Sequence, residues 1–277
     1  MTMSRVATEP TSLSDLRQVV ARIEGHPRLL AAEEAAGEAA WRLGVAEVDL
    51  ALGGRLARTL HALRAAEIGD VPAAQGFALA MASQSASRGG LLWVSTARHA
   101  HEWGHPYAPG LVRYGCDPAQ LLVVEAKKAS EGGWALEEAL KCGAFGLLIG
   151  TGLALDFTAS RRLALAAAER ATPCLLVDGP GQDLPSAAST IWRVAARLSG
   201  GDIYDVEAPG LPRWRVELAR SRGSAPAGPW ELDWDEQTHR FALAAAPADR
   251  AAAPETGPRA PAVAGAVRAE RGRAARA

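Results

Sequence analysis

The sequence predicts an α/β fold with a mainly parallel central sheet, helices on both faces and an antiparallel hairpin region at its C-terminal end. In the middle of the chain, short apolar runs alternate with stretches of helical length, which is typical of βαβ units. After Pro180 this alternation stops, and three successive runs have the composition of strands. The change of rhythm indicates a parallel sheet that continues into antiparallel strands.

Composition divides the chain into three parts. Residues 1–42 are predicted to form a helical extension, because apolar residues recur at helical spacing from Ser12 to Leu30 and an alanine-rich stretch follows. Residues 43–246 hold the α/β domain. Residues 247–277 are rich in Ala, Pro, Gly and Arg and are predicted to be a disordered tail.

The elements of the α/β domain follow in order along the chain. A short helix between Leu43 and Gly54 is stopped by paired glycines. Five strands are predicted next, at 59–64, 91–95, 121–125, 145–150 and 173–178. Four helices lie between them, at 72–85, 108–114, 130–141 and 158–170. The C-terminal strands are predicted at 190–197, 213–220 and 230–234, with a short one at 239–244.

Charge and cysteine content exclude several classes of protein. The net charge of −1 leaves no chain-wide basic field for nucleic acid, although the tail carries +3 and the remainder −4. Any DNA contact is therefore expected to be local and weak, or relayed by partners. Three isolated cysteines indicate neither a zinc knuckle nor a disulfide framework. With no 18-residue apolar segment and no signal-peptide core, the predicted location is the cytoplasm.

The order of elements resembles the core of RecA-type ATPases, and particular segments share the resemblance. They are Leu43–Gly54 before the first strand, 95–100 with 106–115, 117–124 leading into 134–140, and the hairpin at 217–223. The closer resemblance is to the ImuA family, the RecA- and SulA-related proteins of bacterial mutagenesis cassettes. Its segments are 134–143, 155–163, 192–196, 212–218 and 230–234, within a similarity that spans about residues 12–245.

The nucleotide-binding loop of this fold is degenerate here. A P-loop needs glycines, a lysine and a hydroxyl residue so that backbone N–H groups and the lysine can hold phosphates. The equivalent segment, 64–76, has no Lys, Ser or Thr, and Pro72 removes a backbone donor. The residues singled out in this loop are Arg64, Glu67, Gly69, Asp70, Gln75 and Gly76; the two acids would repel phosphate.

Two further parts of an ATPase are missing from the sequence. The strand 145–150 does not end in the acid that organises Mg²⁺, and Asp156 follows only later. The catalytic glutamate of RecA aligns with Arg98, which stays protonated and cannot act as a base. We therefore expect no enzyme activity, no catalytic residues, no cofactor and no metal.

Two other sets of residues have a functional and a structural interpretation. Arg220 and Arg222, with Trp214 and Trp230, are candidates for DNA or partner contact; the alternative is a solvated hairpin and tryptophans that pack in the core. His99, His101 and His105 lie close together after a strand. Their spacing fits no usual zinc pattern, so a polar loop is expected there.

The resemblance implies an adaptor in SOS-induced DNA damage tolerance that associates with the nucleoid when engaged. Its implied partners are an ImuB-like Y-family polymerase homologue, an error-prone C-family DNA polymerase and RecA, without a membrane. Two alternatives stay open: an ATP-responsive modulator of RecA recombination, and a SulA-like inhibitor of cell division. Nucleotide binding would favour the first, and filamentation on overexpression would favour the second.

Overall fold

The structure, a computed structural model, describes residues 40–85, 89–181, 186–200, 208 and 210–244. Almost all of the helical extension predicted for residues 1–42 lies outside these residues, and so does the tail predicted for 247–277. Apart from residues 40–42, the described residues fall within the range 43–246 predicted for the α/β domain.

Nine strands form one sheet in this described part of the chain. They are β1 (Leu60–Ala65), β2 (Gly90–Thr96), β3 (Leu121–Ala126), β4 (Phe145–Thr151), β5 (Cys174–Asp178), β6 (Thr190–Ala196), β7 (Arg213–Ser221), β8 (Ala227–Asp235) and β9 (Arg240–Leu243). Their order across the sheet is β3-β2-β4-β5-β1-β6-β7-β8-β9. The strands from β3 to β6 are parallel, and β6 to β9 pair antiparallel.

Six α-helices accompany the strands in the same residues. They are α1 (Ala46–Ala51), α2 (Val71–Gln84), α3 (Ala97–Trp103), α4 (Ala108–Arg113), α5 (Ala129–Cys142) and α6 (Phe157–Glu169). Short 3₁₀ turns at Ile68–Asp70 and Pro118–Gln120 precede α2 and β3. Local signals set the helix ends: Asp156 accepts a hydrogen bond from the amide of Ala159 at the start of α6, and Gly143 ends α5 in the left-handed conformation.

The sheet separates two hydrophobic clusters. On one face α2 packs with aromatic side chains of the C-terminal strands, such as Trp192, Trp214 and Trp234. On the other face α5 and α6 cover the parallel strands with residues such as Leu136 and Leu163. Because helices cover both faces, the parallel strands can be apolar throughout, which is why they are short continuous runs in the sequence.

The predicted fold class is confirmed as a RecA-like α/β architecture, with the parallel sheet, flanking helices and antiparallel C-terminal strands in the predicted order. One expectation was wrong. Residues 97–103 form α3 rather than a polar loop, because the Thr96 hydroxyl accepts a hydrogen bond from the amide of His99 and caps a helical turn. No helix among the described residues is long and apolar enough to span a bilayer.

Candidate functional site

The turn between β1 and α2 takes the place where a RecA-like ATPase holds nucleotide phosphates. Here it is closed on itself by its own acids. The Asp70 carboxylate accepts a hydrogen bond from the amide of Glu67 (3.0 Å), and the Glu67 carboxylate accepts one from the amide of Asp70. These reciprocal bonds form a capping box around the 3₁₀ turn. The amides of Glu67 and Asp70 in this turn therefore already have carboxylate partners.

Asp70 also ties this turn to the neighbouring strand. Its second carboxylate oxygen accepts a hydrogen bond from the amide of Ala196, at the end of β6 (2.8 Å). The carboxylate thus bridges β1–α2 and β6, and it places negative charge at the mouth of the site. A phosphate entering here would meet two acids instead of a lysine.

The remaining residues of the degenerate loop are spread over both faces of the sheet. Arg64 lies on the face opposite α2 and interacts electrostatically with Asp178. A Cβ atom added to Gly69 would meet no other atom within 4 Å, so packing does not require glycine at this position. The amide Nε2 of Gln75 lies 2.8 Å from His99 Nε2. The six residues therefore do not form one binding site.

Gly76 has a packing role on α2. A Cβ at this position would lie 2.6 Å from the hydroxyl of Tyr114. The glycine therefore allows the Tyr114 side chain to pack directly against the backbone of α2. Burial raises the pKa of Tyr114 to about 12. Tyr114, Trp93 and Tyr107 help to line a cavity of about 180 Å³ beside this crossing.

The carboxyl ends of β2 and β4 hold hydroxyls where an ATPase needs acids. Ser95 and Thr151 are register partners on the two strands, and both side chains are buried. Neither hydroxyl has a hydrogen-bond partner in the structure. Asp156 lies farther on, where it caps α6, and Arg98 is exposed on α3. Among the described residues that follow β4 directly, from 152 to 155, none carries a carboxylate for Mg²⁺.

The three histidines do not converge. His99 is buried against Gly152 and Gln75, and burial lowers its pKa. His105 instead lies 3.5 Å from the carboxylate of Glu125, on the exposed side. Within the described ranges no three His, Cys, Asp or Glu side chains lie together as metal ligands.

The hairpin candidates occupy two different environments. Trp214 is 2% exposed and packs in the core, which favours the packing role for its indole; Trp230 is half-buried. Arg220 and Arg222 are exposed on the other face of the strand. Arg220 donates to the carbonyls of Ser186 and Ala188, and Arg222 donates to that of Ala187.

Sequence reasoning did not find two features that the structure places near these elements. Asp178, at the end of β5, is partly buried, and the loss of solvent raises the pKa of its carboxyl group, while a hydrogen bond with the backbone of Ala154 and the charge of Arg64 oppose that shift. Trp134, on α5, is 64% exposed although it lies in the middle of a helix. The signal that could have found it is helical spacing, which places Trp134 with Glu137, Glu138 and Lys141 on the polar face of α5.

No family model matches the chain. Two curated proteins called Protein ImuA, from Caulobacter vibrioides strains NA1000 / CB15N and ATCC 19089 / CIP 103742 / CB 15, are similar to it. Each is 35% identical over 183 residues, which cover 62% of this chain and 72% of the relative.

Proposed function

Since the chain belongs to the ImuA family, we propose that it works in damage-induced mutagenesis as a RecA-like adaptor without ATPase activity. In this role it supports error-prone translesion synthesis by contacting an ImuB-like Y-family polymerase homologue and an error-prone C-family polymerase. The observation that carries the proposal is the self-capped acidic turn before α2, where the amides of Glu67 and Asp70 already have carboxylate partners.

Three independent features support the loss of nucleotide chemistry. The turn holds carboxylates instead of a phosphate-binding lysine. The end of β4 presents the buried hydroxyl of Thr151 where Mg²⁺ needs an acid. Arg98 takes the position of the catalytic base and cannot accept a proton. These observations support the proposal that phosphate binding, metal binding and base catalysis have all been lost.

We expect the purified full chain to show no Mg²⁺-dependent ATP turnover above the blank. Phosphate release would be measured with and without single-stranded DNA, with a RecA preparation as the positive control. Robust turnover that is lost in the Gln75→Ala variant would contradict the proposal, because that loss assigns the activity to this chain. If calorimetric titration shows that the chain binds ATP although no turnover is measured, the result would favour an ATP-responsive modulator of recombination.

An adaptor also needs a surface that a partner can bind. The described surface offers a candidate on α5, the end of the β4–α6 connection and the first turn of α6, which we call the Trp134 patch: Trp134, Leu155 and Phe157. Trp134 is 64% exposed and Phe157 is 41% exposed. A cavity of about 190 Å³ lies between the two helices, and Leu155 closes over Gly133.

Charged side chains surround the Trp134 patch and hold its two helices in place. Glu137 on α5 pairs with Lys141 at 3.2 Å and with Arg162 on α6 at 3.3 Å. Trp134 follows Gly133, which lines the cavity, and an exposed tryptophan with charged neighbours has the composition of an interaction hot spot. The proposed contact with the polymerase homologue is therefore assigned to this patch.

Replacing Trp134 with alanine is expected to weaken binding of the ImuB-like partner at least about tenfold, because the indole is a large anchor at the centre of the patch. Affinity would be measured by titrating the co-expressed, purified partner against the full chain on a biosensor surface. Leu50→Ala is the matched control, since Leu50 is 80% exposed on α1 and lies outside the patch. Equal affinities for all three proteins would exclude the patch.

The same variants test the pathway in cells. In a strain lacking its own copy, the chain is expected to restore damage-induced mutation frequency, and Trp134→Ala is expected to lower it while Leu50→Ala does not. Filamentation on overexpression, with no change in mutation frequency, would instead support a SulA-like inhibitor of cell division.

A further inference from the structure

Five arginines lie along one face of β1, β6 and β7, and we call them the arginine face: Arg64, Arg193, Arg215, Arg220 and Arg222. Arg64 and Arg193 are register partners across β1 and β6. On β7, Arg215 pairs with Ala195 and Arg220 pairs with Ile191. Because side chains alternate between faces along a strand, these positions share the face of β6 opposite Trp192 and Val194.

The register irregularity near the end of β7 matters for this alignment. Leu218 pairs with Trp192, and Arg220 pairs with Ile191, so Ala219 is an extra residue in β7. In a regular strand without the bulge, Arg220 would point to the same face as Leu218, into the core, because the two residues are two positions apart. The bulge therefore turns Arg220 outward and brings it beside Arg64, close enough for the two like charges to interact.

In the described part of the chain this face holds fewer acids than arginines. Asp178 is the register partner of Arg64, Glu217 that of Arg193, and Glu231 that of Arg215. Glu231 also lies 3.7 Å from Arg197, and Asp233 on β8 forms a two-bond contact with Arg213. Five arginines against these three acids give the described face a positive charge, although the whole chain has a net charge of −1.

Part of the arginine face is held rigidly. Arg220 donates through Nη2 to the carbonyl oxygens of Ser186 (2.6 Å) and Ala188 (2.9 Å), and Arg222 donates to that of Ala187 (2.9 Å). These bonds involve only one nitrogen of the Arg220 guanidinium. Since a guanidinium has five N–H donors, Arg220 keeps donors for a further acceptor.

The side chains of the arginine face indicate which class of partner it can bind. Interfaces with proteins rely on aromatic or aliphatic anchors, and the tryptophans of β6 to β8 all point to the opposite, buried side of the sheet. Between the charged residues the face presents only small side chains such as Ala195 and Ala219. It can therefore recognise a partner by charge and N–H donors, without an apolar anchor.

We propose that the arginine face binds the phosphate backbone of nucleic acid and does not read base sequence. From Arg215 to Arg222 the strand covers roughly 20 Å, which spans several successive phosphates. The face also lacks an aromatic platform on which bases could stack, so affinity comes from charge alone and depends strongly on salt. This binding does not rest on the loss of ATPase chemistry, and it uses a surface distinct from the Trp134 patch.

The test uses the full chain and a labelled oligothymidylate of about 30 nucleotides, with fluorescence anisotropy at about 50 to 200 mM salt. The Arg193→Glu/Arg215→Glu variant is expected to bind at least about tenfold more weakly and to show a shallower dependence on salt. Arg42→Glu/Arg55→Glu is the matched control, because both arginines are exposed and flank core residues Trp41 and Leu56 on the other side of the sheet. It carries the same change in charge and is expected to bind nearly as well as the parent.

Glu217→Gln provides the opposite change. It removes an acid from the middle of the arginine face and is expected to tighten binding severalfold, a result that damage to the fold could not produce. A duplex of the same length is expected to compete for the same face. The proposal is overturned by equal weakening in both arginine double variants, by the absence of binding at low salt, or by polyglutamate competing as well as DNA. Partner binding through Trp134 is measured in a separate experiment. Failure of the nucleic-acid proposal therefore does not affect the test of partner binding, and the reverse also holds.

Discussion

Replacing Trp192 with alanine is expected to lower the free energy of unfolding by about 3–5 kcal/mol. Trp192 is fully buried on β6, where its ring packs 6.1 Å from that of Phe77 on α2. Its indole N–H also donates to the hydroxyl of Thr190 at 2.9 Å. Truncation removes this contact and leaves a cavity between the sheet and α2, so the loss combines transfer and cavity contributions.

The chain supplies a matched control for this measurement. Trp134→Ala removes the same side chain from a position that is 64% exposed, and it is expected to change stability by no more than about 0.5 kcal/mol. Denaturant titration of the two variants and the parent gives both values. A similar loss in both would mean that β6 does not lie at the centre of the core.

The fold could be predicted because its signals are local. Each parallel strand is a short apolar run, and each intervening helix has its own start or stop, such as Asp156 before α6 and Gly143 after α5. The hairpin of β7 and β8 is marked by alternating residues. By contrast, α3 was missed because its seven residues include two histidines, an arginine and a glutamate and have no apolar period, and only Thr96 marks its start.

The candidate site was predictable in part for the same reason. The absence of lysine and the presence of Glu67 and Asp70 can be seen in the sequence, since a P-loop is a contiguous motif. The contact of Asp70 with Ala196 cannot be seen, because the two residues are 126 positions apart and meet only when β6 joins β1. The arginine face likewise depends on strand register and on one bulge, which no single segment encodes.

Acidification is expected to destabilise the protein through His61. The side chain is completely buried, and burial lowers its pKa from 6.5 to about 4. Its two nitrogens lie 2.8 Å from the hydroxyl of Thr190 and from the carbonyl of Ala57. Because the carbonyl of Ala57 can only accept, the proton of the neutral ring is on Nε2, and Nδ1 is an acceptor. The Thr190 hydroxyl, which accepts from the Trp192 indole, then donates its own proton to Nδ1. All three hydrogen bonds are therefore formed with neutral His61, protonated at Nε2.

Proton linkage determines whether stability rises or falls with pH. Between about pH 6.5 and pH 4 the unfolded chain binds a proton at this histidine and the folded chain does not, so stability rises with pH across this window. The contribution is fully present above the unfolded pKa and is lost as the pH falls towards 4, by up to about 3 kcal/mol. Burial lowers the pKa of His99 as well and acts in the same direction, whereas the raised pKa of Asp178 acts in the opposite one.

Comparison with His61→Gln isolates this residue from the others. The variant cannot titrate in the window, so its free energy of unfolding is expected to fall less steeply between pH 6.5 and pH 4 than that of the parent, whatever its stability at neutral pH. His101→Gln is the control, since His101 is exposed on α3, and it should keep the parental slope. Parallel curves for the parent and His61→Gln would show that His61 is not held neutral. In that case Thr190 does not give its proton to the ring, and the hydrogen-bond chain from Trp192 to Ala57 is broken at its centre.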